Sequence, residues 1–430
     1  MQAVMSGATR PVTVALPTLG CKVNRYDSDA LARALIARGY VVVPPQQPAD
    51  IYIVNTCTVT REAEAKSRKT LRRTLRIHDG ALLIVTGCYA TLDREALAAL
   101  AGVDAVVPIA EQHTIPDLLL QRRPPAAHEQ ASMPHGLSAS IERTRATVKV
   151  QDGCNLRCAF CAVTLARGPV RSRPLPEVMT ELHGLADAGI REIVLTGIRL
   201  DAYGKERGQR LADLLNATRP LGVARLRLSS LEPVGIDDGL VGAMAAHPTL
   251  CRHFHICLQS GDDGVLRAMR RGYTTGRFRQ LIAKLRAAMP DATFTTDLIV
   301  GFPGETEQAF QHTLDFAREL GFMKLHIFKF STRPGTAAAE MPGQIADQVK
   351  EERSRRLFAV ERELFHAYAE PLRGHTVTVL VEQTGPQGDG LTDGYLRVCA
   401  DFPPASAGEI MPVRVTGIGE DGVLGECFGP

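Results

Sequence analysis

Cys154, Cys158 and Cys161 stand four and three positions apart in the run Gln151-Asp152-Gly153-Cys154-Asn155-Leu156-Arg157-Cys158-Ala159-Phe160-Cys161. Three thiolates do not close the tetrahedral shell of one ion. They can hold three irons of a cubane iron–sulfur cluster and leave the fourth iron open to a small ligand that chelates through an amine and a carboxylate. A zinc knuckle that borrows its fourth ligand elsewhere is the other chemistry this spacing allows. Ferredoxin-type runs, CxxCxxC and usually proline after the last cysteine, fit poorly. Asp152, Gly153 and Asn155 make the run a loop, with Val148-Lys149-Val150 as a short strand before it.

A second set of cysteines is dispersed. Residues 11 to 120 alternate apolar β-rich runs with helical patterns, which predicts a parallel sheet covered by helices. The buried strands are Val12-Thr13-Val14-Ala15-Leu16, Ile51-Tyr52-Ile53-Val54 and Leu82-Leu83-Ile84-Val85, and Val106-Val107 starts a fourth. Helices fall around 27 to 38, 61 to 77 and 92 to 101. Each of the first three strands runs into a cysteine, Cys21, Cys57 or Cys88. Ligands of open parallel sheets bind outside the carboxyl ends of the strands, so these three thiols should converge. A second cluster with one open iron is the expected occupant; zinc or a redox thiol is the alternative.

The chain has 430 residues, enough for two or three domains, and 45% of them are hydrophobic. It has no basic start followed by a long apolar run, and no stretch nears the ~18 apolar residues of a membrane span. A soluble cytoplasmic protein is expected. Ten cysteines in such a chain point to metal or thiol chemistry rather than disulfides. Residues 1 to 140 carry 15 Lys and Arg against 12 acids, residues 374 to 430 carry two against eight, and the middle holds the remaining 33 against 27. A nucleic-acid surface therefore belongs to the first two segments.

The helix after Cys57 carries Arg61, Lys66, Arg68, Lys69, Arg72, Arg73 and Arg76. At 100° per residue they span an arc of roughly 160°, with Leu71 and Leu75 on another face. Contact with a phosphate backbone is expected; a merely solvated face is the plain alternative. Arg167, Arg171 and Arg173, just after the cysteine loop, suit phosphate or a substrate carboxylate. Residues 121 to 140 break all periodicity and read as a linker, with His128 and His135 exposed in it.

From 145 to about 335 strands and helices alternate through six β/α units, a partial (β/α)6 barrel whose active face is at the strands' carboxyl ends. The strands after the cysteine loop are Glu192 to Thr196, Arg225 to Ser229, His253 to Leu258, Phe294 to Val300 and Leu325 to Phe330. Glycines and polar residues follow them: Thr196 and Gly197, Ser229 and Glu232, Gln259 and Ser260, then Gly301. Such groups let backbone approach a ligand and hydrogen-bond an amine or ribose hydroxyls. Cys251 and Cys257 read as core, and His253 and His255 as satisfied core histidines. A charged helix covers 347 to 369. Four short β-runs between 376 and 427, separated by turns rich in Gly, Asp and Pro, predict a small β-barrel with Cys399 and Cys427 as structural residues.

Together, TLGCKVNRYDSD, NTCTV, TGCYA, the CxxxCxFC loop, LSSLEP, LQSG, DLIVGFPGE and STRPGT resemble the methylthiotransferase family of radical S-adenosylmethionine (SAM) enzymes, along essentially the whole chain. The resemblance implies an N-terminal α/β cluster domain over 11–122, a radical-SAM core over 140–370 and a β-domain of the TRAM type over 373–430. Lys22-Val23-Asn24 after Cys21 is similar to the bacterial branch acting on N6-threonylcarbamoyladenosine beside the tRNA anticodon; the isopentenyladenosine and ribosomal-protein branches show other runs there.

The resemblance further implies two [4Fe-4S] clusters. Cys154, Cys158 and Cys161 would hold the one that cleaves SAM to a 5′-deoxyadenosyl radical; Cys21, Cys57 and Cys88 would hold the auxiliary one that carries the sulfur. Phe160, Thr196, Gly197, Ser229, Glu232, Gln259, Ser260, Asp297 and Gly301 would surround SAM. One SAM methylates the sulfur, a second activates C2 of the adenine, and the methylthio group is joined there. The implied partners are the tRNA anticodon stem-loop and an electron donor such as flavodoxin or ferredoxin, with the enzyme a monomer. A TRAM domain of net charge −6 departs from an RNA-holding role, so Arg68, Lys69, Arg72, Arg73, Arg76, Arg167, Arg171 and Arg173 are the expected RNA contacts. Methylthiotransferases acting on isopentenyladenosine or on a ribosomal-protein aspartate, and a non-enzymatic iron–sulfur RNA-binding protein, are the competing functions.

Overall fold

The computed structural model describes residues 10–77, 80–125 and 144–428. They form two compact units. The first is the described chain up to Pro125 joined by Leu165–Gly168, and the second takes the rest. His128 and His135 of the expected linker lie outside the described residues.

In the first unit five parallel strands, β1 (Thr13–Ala15), β2 (Val41–Val43), β3 (Ile51–Thr56), β4 (Leu82–Gly87) and β5 (Ala105–Pro108), lie in the order β2-β1-β3-β4-β5. Burial of every residue of β3 explains its unbroken apolar run. The edge strand β2 escapes the sequence pattern because it is three residues long and part-exposed. The chain reverses its winding between β1 and β3. In a doubly wound sheet that is where the crevice opens beyond the strand ends.

Helix α1 (Lys22–Ile36) starts directly on Cys21, earlier than the expected 27. Helix α2 (Arg61–Ile77) has the expected limits. The single helix expected at 92–101 is two short ones, α3 (Cys88–Leu92) and α4 (Arg94–Ala98), interrupted at Asp93 with φ −134°.

The second unit opens with β6 (Arg145–Lys149), followed by a two-residue pair of β7 (Gln151–Asp152) and β8 (Arg171–Ser172). Then come β9 (Glu192–Thr196), β10 (Arg225–Leu228), β11 (His253–His255), β12 (Thr293–Val300) and β13 (Lys324–Lys329). Two parallel three-stranded sheets, β10-β9-β6 and β11-β12-β13, are joined by isolated bridges such as Leu231 to Ile256. The result is a six-stranded partial barrel. Its outward faces pack on helices through one cluster that runs from Ala146 to Leu364.

Five strands, β14 (Thr376–Gln383), β15 (Gly385–Thr392), β16 (Arg397–Phe402), β17 (Ile410–Ile418) and β18 (Val423–Cys427), close a small barrel. Sequence predicted four, because the run Gly385-Pro386-Gln387-Gly388-Asp389-Gly390 reads as a turn. Its glycines serve close packing instead. A Cβ on Gly390 would stand 2.2 Å from the Leu380 carbonyl oxygen.

This small barrel is tied to the amino ends of β9 and β10. Arg227, fully buried, makes a fork to Glu192 at 2.7 and 3.0 Å and donates to the carbonyls of Asp393 (2.8 Å) and Thr392 (3.1 Å). Arg225 donates to the carbonyls of Leu391 (2.9 Å) and Thr378 (2.8 Å). With that end covered, the carboxyl ends of the strands are left for chemistry.

Candidate active site

At the carboxyl edge of the first sheet Cys21, Cys57 and Cys88 follow β1, β3 and β4. Close approach is written into the glycines: a Cβ on Gly20 would lie 2.8 Å from the Cys57 Sγ, and one on Gly87 2.3 Å from the Thr56 oxygen. Both adopt positive φ, +98° and +100°. Asn24, wholly buried one turn into α1, clamps the edge. Its amide donates to the carbonyls of Leu19 (2.9 Å) and Thr56 (3.0 Å), and its oxygen accepts from Arg167 at 2.5 Å.

Arg167 also pairs with Asp27 at 2.9 Å, and its side chain is 0% exposed. This corrects the expectation that it faces RNA. A guanidinium shut in against Asp27 and Asn24 has no reach to phosphate; it sits instead beside the buried thiols, where its charge opposes the effect of burial on Cys57 and Cys88. Burial, the larger influence, pushes Cys57 up and Cys88 up to about 12.

In the second unit the loop with Cys154, Cys158 and Cys161 leaves β7. Gln151 pins it, donating to the carbonyls of Asp152 (2.6 Å) and Gly153 (2.7 Å) while accepting from the Arg199 backbone at 2.7 Å. Gly197 is required beside it, since a Cβ there would meet the Gln151 Oε1 at 2.7 Å. Arg157 takes a positive φ of 53°, a strained turn for a side chain of that size. Burial raises the Cys154 thiol and pushes Cys161 up to about 12.

Arg271, buried, donates to the Cys158 Sγ at 3.1 Å, and its other arm holds Glu232. Burial raises Glu232 above the usual carboxylate range against the pull of Arg271. The Ser229 Oγ is buried without a hydrogen-bond partner among the described residues. Thr196 is buried at the end of β9. Phe160 lies against an apolar group that includes Ala159, Phe302 and Phe330.

Further expected SAM contacts have protein partners. The Ser260 Oγ faces Thr313 at 3.3 Å and accepts from the Asp262 backbone, the Gln259 backbone donates to the Asp297 carbonyl at 2.8 Å, and the Asp297 carboxylate lies 3.2 Å from both His255 and His326. Gly301, with φ +74°, donates to Glu305 at 2.7 Å and sits where a Cβ would meet Lys350 at 2.3 Å.

Among the described residues His255, Cys257 and Asp297 gather three donor atoms within 4.8 Å of one another. Each cysteine triad offers three free thiols, the donor set of a cubane cluster with one open iron, whereas a structural zinc site takes four ligands.

Along α2, Arg68, Lys69, Arg72 and Arg76 line one shallow surface with Ala65 and Leu75. Lys69, Arg72, Arg73 and Arg76 are exposed, whereas Arg68 is half-buried and paired with Glu64. Arg173 is bonded to Glu181 at 2.6 Å and to the Lys149 carbonyl; Arg171 is exposed.

Sequence reasoning missed Asn24 as a clamp, Gln151 as a pin and Arg271 as a partner of Cys158. Gln151 adjoins the motif and could have been suspected. Arg271 is 113 positions from Cys158, with no local pattern to reveal it.

No helix among the described residues is long and apolar enough to cross a membrane. Residues 13–108 match the family described as "Uncharacterized protein family UPF0004", and residues 148–317 match the Radical SAM superfamily. The threonylcarbamoyladenosine tRNA methylthiotransferase MtaB of Bacillus subtilis is 37% identical over 94% of this chain and 93% of its own. The MtaB of Thermotoga maritima is 38% identical over 96% of each. The tRNA-2-methylthio-N(6)-dimethylallyladenosine synthase of Salinispora arenicola is also 38% identical, over 95% of this chain and 85% of its own. Among solved structures, the radical S-adenosylmethionine methyltransferase TsrM from Kitasatospora setae, determined with cobalamin and a [4Fe-4S] cluster, superposes with a TM-score of 0.58 over 77% of each chain at 16% identity, a likeness of fold. On near full-length similarity to these enzymes, the chain belongs to the radical-SAM methylthiotransferase family.

Proposed function

We propose that this chain joins a methylthio group to C2 of N6-threonylcarbamoyladenosine beside the tRNA anticodon. The observation that carries the reading is near full-length similarity to proteins named for that reaction. Cys154, Cys158 and Cys161 would hold the [4Fe-4S] cluster that binds SAM, and Cys21, Cys57 and Cys88 a second cluster. When bound, these groups supply the carbon radical and the sulfur.

The chain's own residues supply placement. Gln151 fixes the loop that carries three of the ligands, and Arg271 gives the Cys158 sulfur a charged hydrogen bond. Ser229 and Glu232 offer polar atoms at the carboxyl end of β10 to the SAM amine and ribose. Phe160, Phe302 and Phe330 keep the site apolar and poor in water, which protects a reactive carbon centre. In the first unit Asn24 and Arg167 hold the edge on which the second triad stands. The exposed cations of α2, with Arg171, would take tRNA phosphates. Flavodoxin or ferredoxin would deliver electrons, and the enzyme would act as a cytoplasmic monomer.

A second substrate has lesser support, from relatives named for dimethylallyladenosine in tRNA that are 38% and 36% identical. Mass spectrometry of tRNA nucleosides from cells with and without the gene decides. Loss of 2-methylthio-N6-threonylcarbamoyladenosine, accumulation of its precursor and rescue by the wild-type gene are expected. Persistence of that nucleoside while the isopentenyl derivative loses its methylthio group would overturn the proposed substrate.

A further inference from the structure

We propose that His255, Cys257 and Asp297 form a mononuclear divalent-metal site, selective for zinc, inside the partial barrel of the second unit. The site is separate from both cysteine triads and uses none of their residues.

The parallel register brings the donors together. His255 of β11 pairs with Thr295 of β12, and Asp297, two residues on, pairs with His326 of β13. Positions two apart on a strand share a face, so His255, Asp297 and His326 point to one side. Cys257 lies two residues beyond His255 on the same course. The ligand atoms of His255, Cys257 and Asp297 all lie within 4.8 Å of one another.

The separations match the edges of one coordination shell. The His255 Nε2 is 3.2 Å from the Asp297 Oδ1, and the Cys257 Sγ is 3.7 Å from Oδ2. A tetrahedral zinc with arms of 2.0 to 2.3 Å has edges of about 3.3 to 3.8 Å.

The surroundings have the character of a ligand-orienting shell. Thr295 Oγ1 lies 2.9 Å from the His255 Nδ1, and His253 lies 2.9 Å from the same hydroxyl, which leaves Nε2 of His255 for the ion. His326 is 3.2 Å from the Asp297 Oδ1, and its ring stacks on His255 at 4.9 Å. His255 and Cys257 are 6% and 8% exposed, so this is no surface cluster of acids. One imidazole, one thiolate and one carboxylate suit zinc and leave its fourth position to water. The ion would link β11 to β12 and, through His326, steady β13, the edge strand of its sheet.

The test uses the full chain with iron and sulfide reconstituted, then supplied with zinc and desalted. The expected result is one zinc per chain beside an unchanged iron content, with a zinc-edge absorption spectrum fitting one sulfur and otherwise nitrogen or oxygen ligands. Cys257→Ala and His255→Gln should each retain under about a tenth of that zinc while keeping their iron, and His326→Gln should bind it about 10 to 100 times more weakly. Absence of stoichiometric zinc from the wild type, equal zinc in both ligand variants, or a shell of three sulfurs, which would mean zinc in a cluster triad, overturns the site. The spectrum of the wild type decides even where a variant loses iron.

Discussion

Arg271 places one guanidinium nitrogen 3.1 Å from the Cys158 Sγ and gives the other to Glu232, so one buried cation joins Cys158, a proposed cluster ligand, to the carboxyl end of β10. Tyr273 steadies it, its hydroxyl accepting from the Arg271 Nε at 3.0 Å and donating toward the carbonyls of Cys257 and Leu258. Outer groups of this kind are typically worth 10 to 100-fold in metal affinity or activity. Arg271→Met should therefore lower SAM cleavage by about that range and shift the reduction potential of the cluster downward, since a charged donor to sulfur is lost. Potentiometry on the reconstituted variant checks it; an unchanged potential would show that Arg271 only supports Glu232.

The exposed cations of α2 give a second prediction, sharpened by the structure. Arg68 is taken up by Glu64, so the electrostatic work falls to Lys69, Arg72 and Arg76. Replacing all three by Gln should weaken tRNA binding and reduce the slope of log affinity against log salt by roughly two to three, at about 0.7 to 0.9 per phosphate contact. Filter binding between 50 and 200 mM salt measures this. An unaltered slope would return the helix to the status of a solvated face.

Much of this site was legible because its chemistry is carried by residue type at strand ends. Cys21, Cys57 and Cys88 follow buried apolar runs, and parallel strands bring their carboxyl ends together whatever lies between. What was not legible depended on partners distant in sequence. Arg167 looked like one of three equivalent arginines, yet packing against Asn24 and Asp27, 143 and 140 positions away, takes it out of solvent. Ser260 follows β11 and Asp297 lies within β12 as expected, but their side-chain contacts are set by Thr313, His255 and His326. Strand β15 was hidden because glycine signals a turn locally and permits close strand packing globally, and only the partner strand separates the two.

Asn24 carries a third prediction. It makes two buried hydrogen bonds to carbonyls and accepts one from Arg167. Asn24→Ala leaves those partners unsatisfied at about 1 to 3 kcal/mol each, so a loss of several kcal/mol local to the first sheet is expected. Reconstituted protein should lose the auxiliary cluster, about half its iron, while SAM cleavage by the second unit persists. Full iron content in the variant would contradict the role of Asn24 as the clamp of the first triad.

Glu192 gives the last prediction, a dependence on acid. Burial disfavours its charge, but the fork to Arg227 and the charges of Arg227, Arg145 and Arg225 more than offset that, and its pKa lies below the usual value. A carboxylate depressed in the folded state adds stability that is fully present above its unfolded pKa, near 4.3, and is lost as pH falls through the lower folded value. The Tm of the second unit should thus hold from pH 7 to about 5.5 and fall as pH drops below about 4.5. Glu192→Gln removes one partner of a buried ion pair and should cost about 3 to 5 kcal/mol at pH 7. Because Arg225 and Arg227 also bind the carbonyls of Thr378, Leu391, Thr392 and Asp393, the variant should loosen the small barrel first. Hydrogen exchange would register this as faster exchange in β14 and β15 than in β12. Uniform acceleration across the unit would instead mean that the two barrels unfold together.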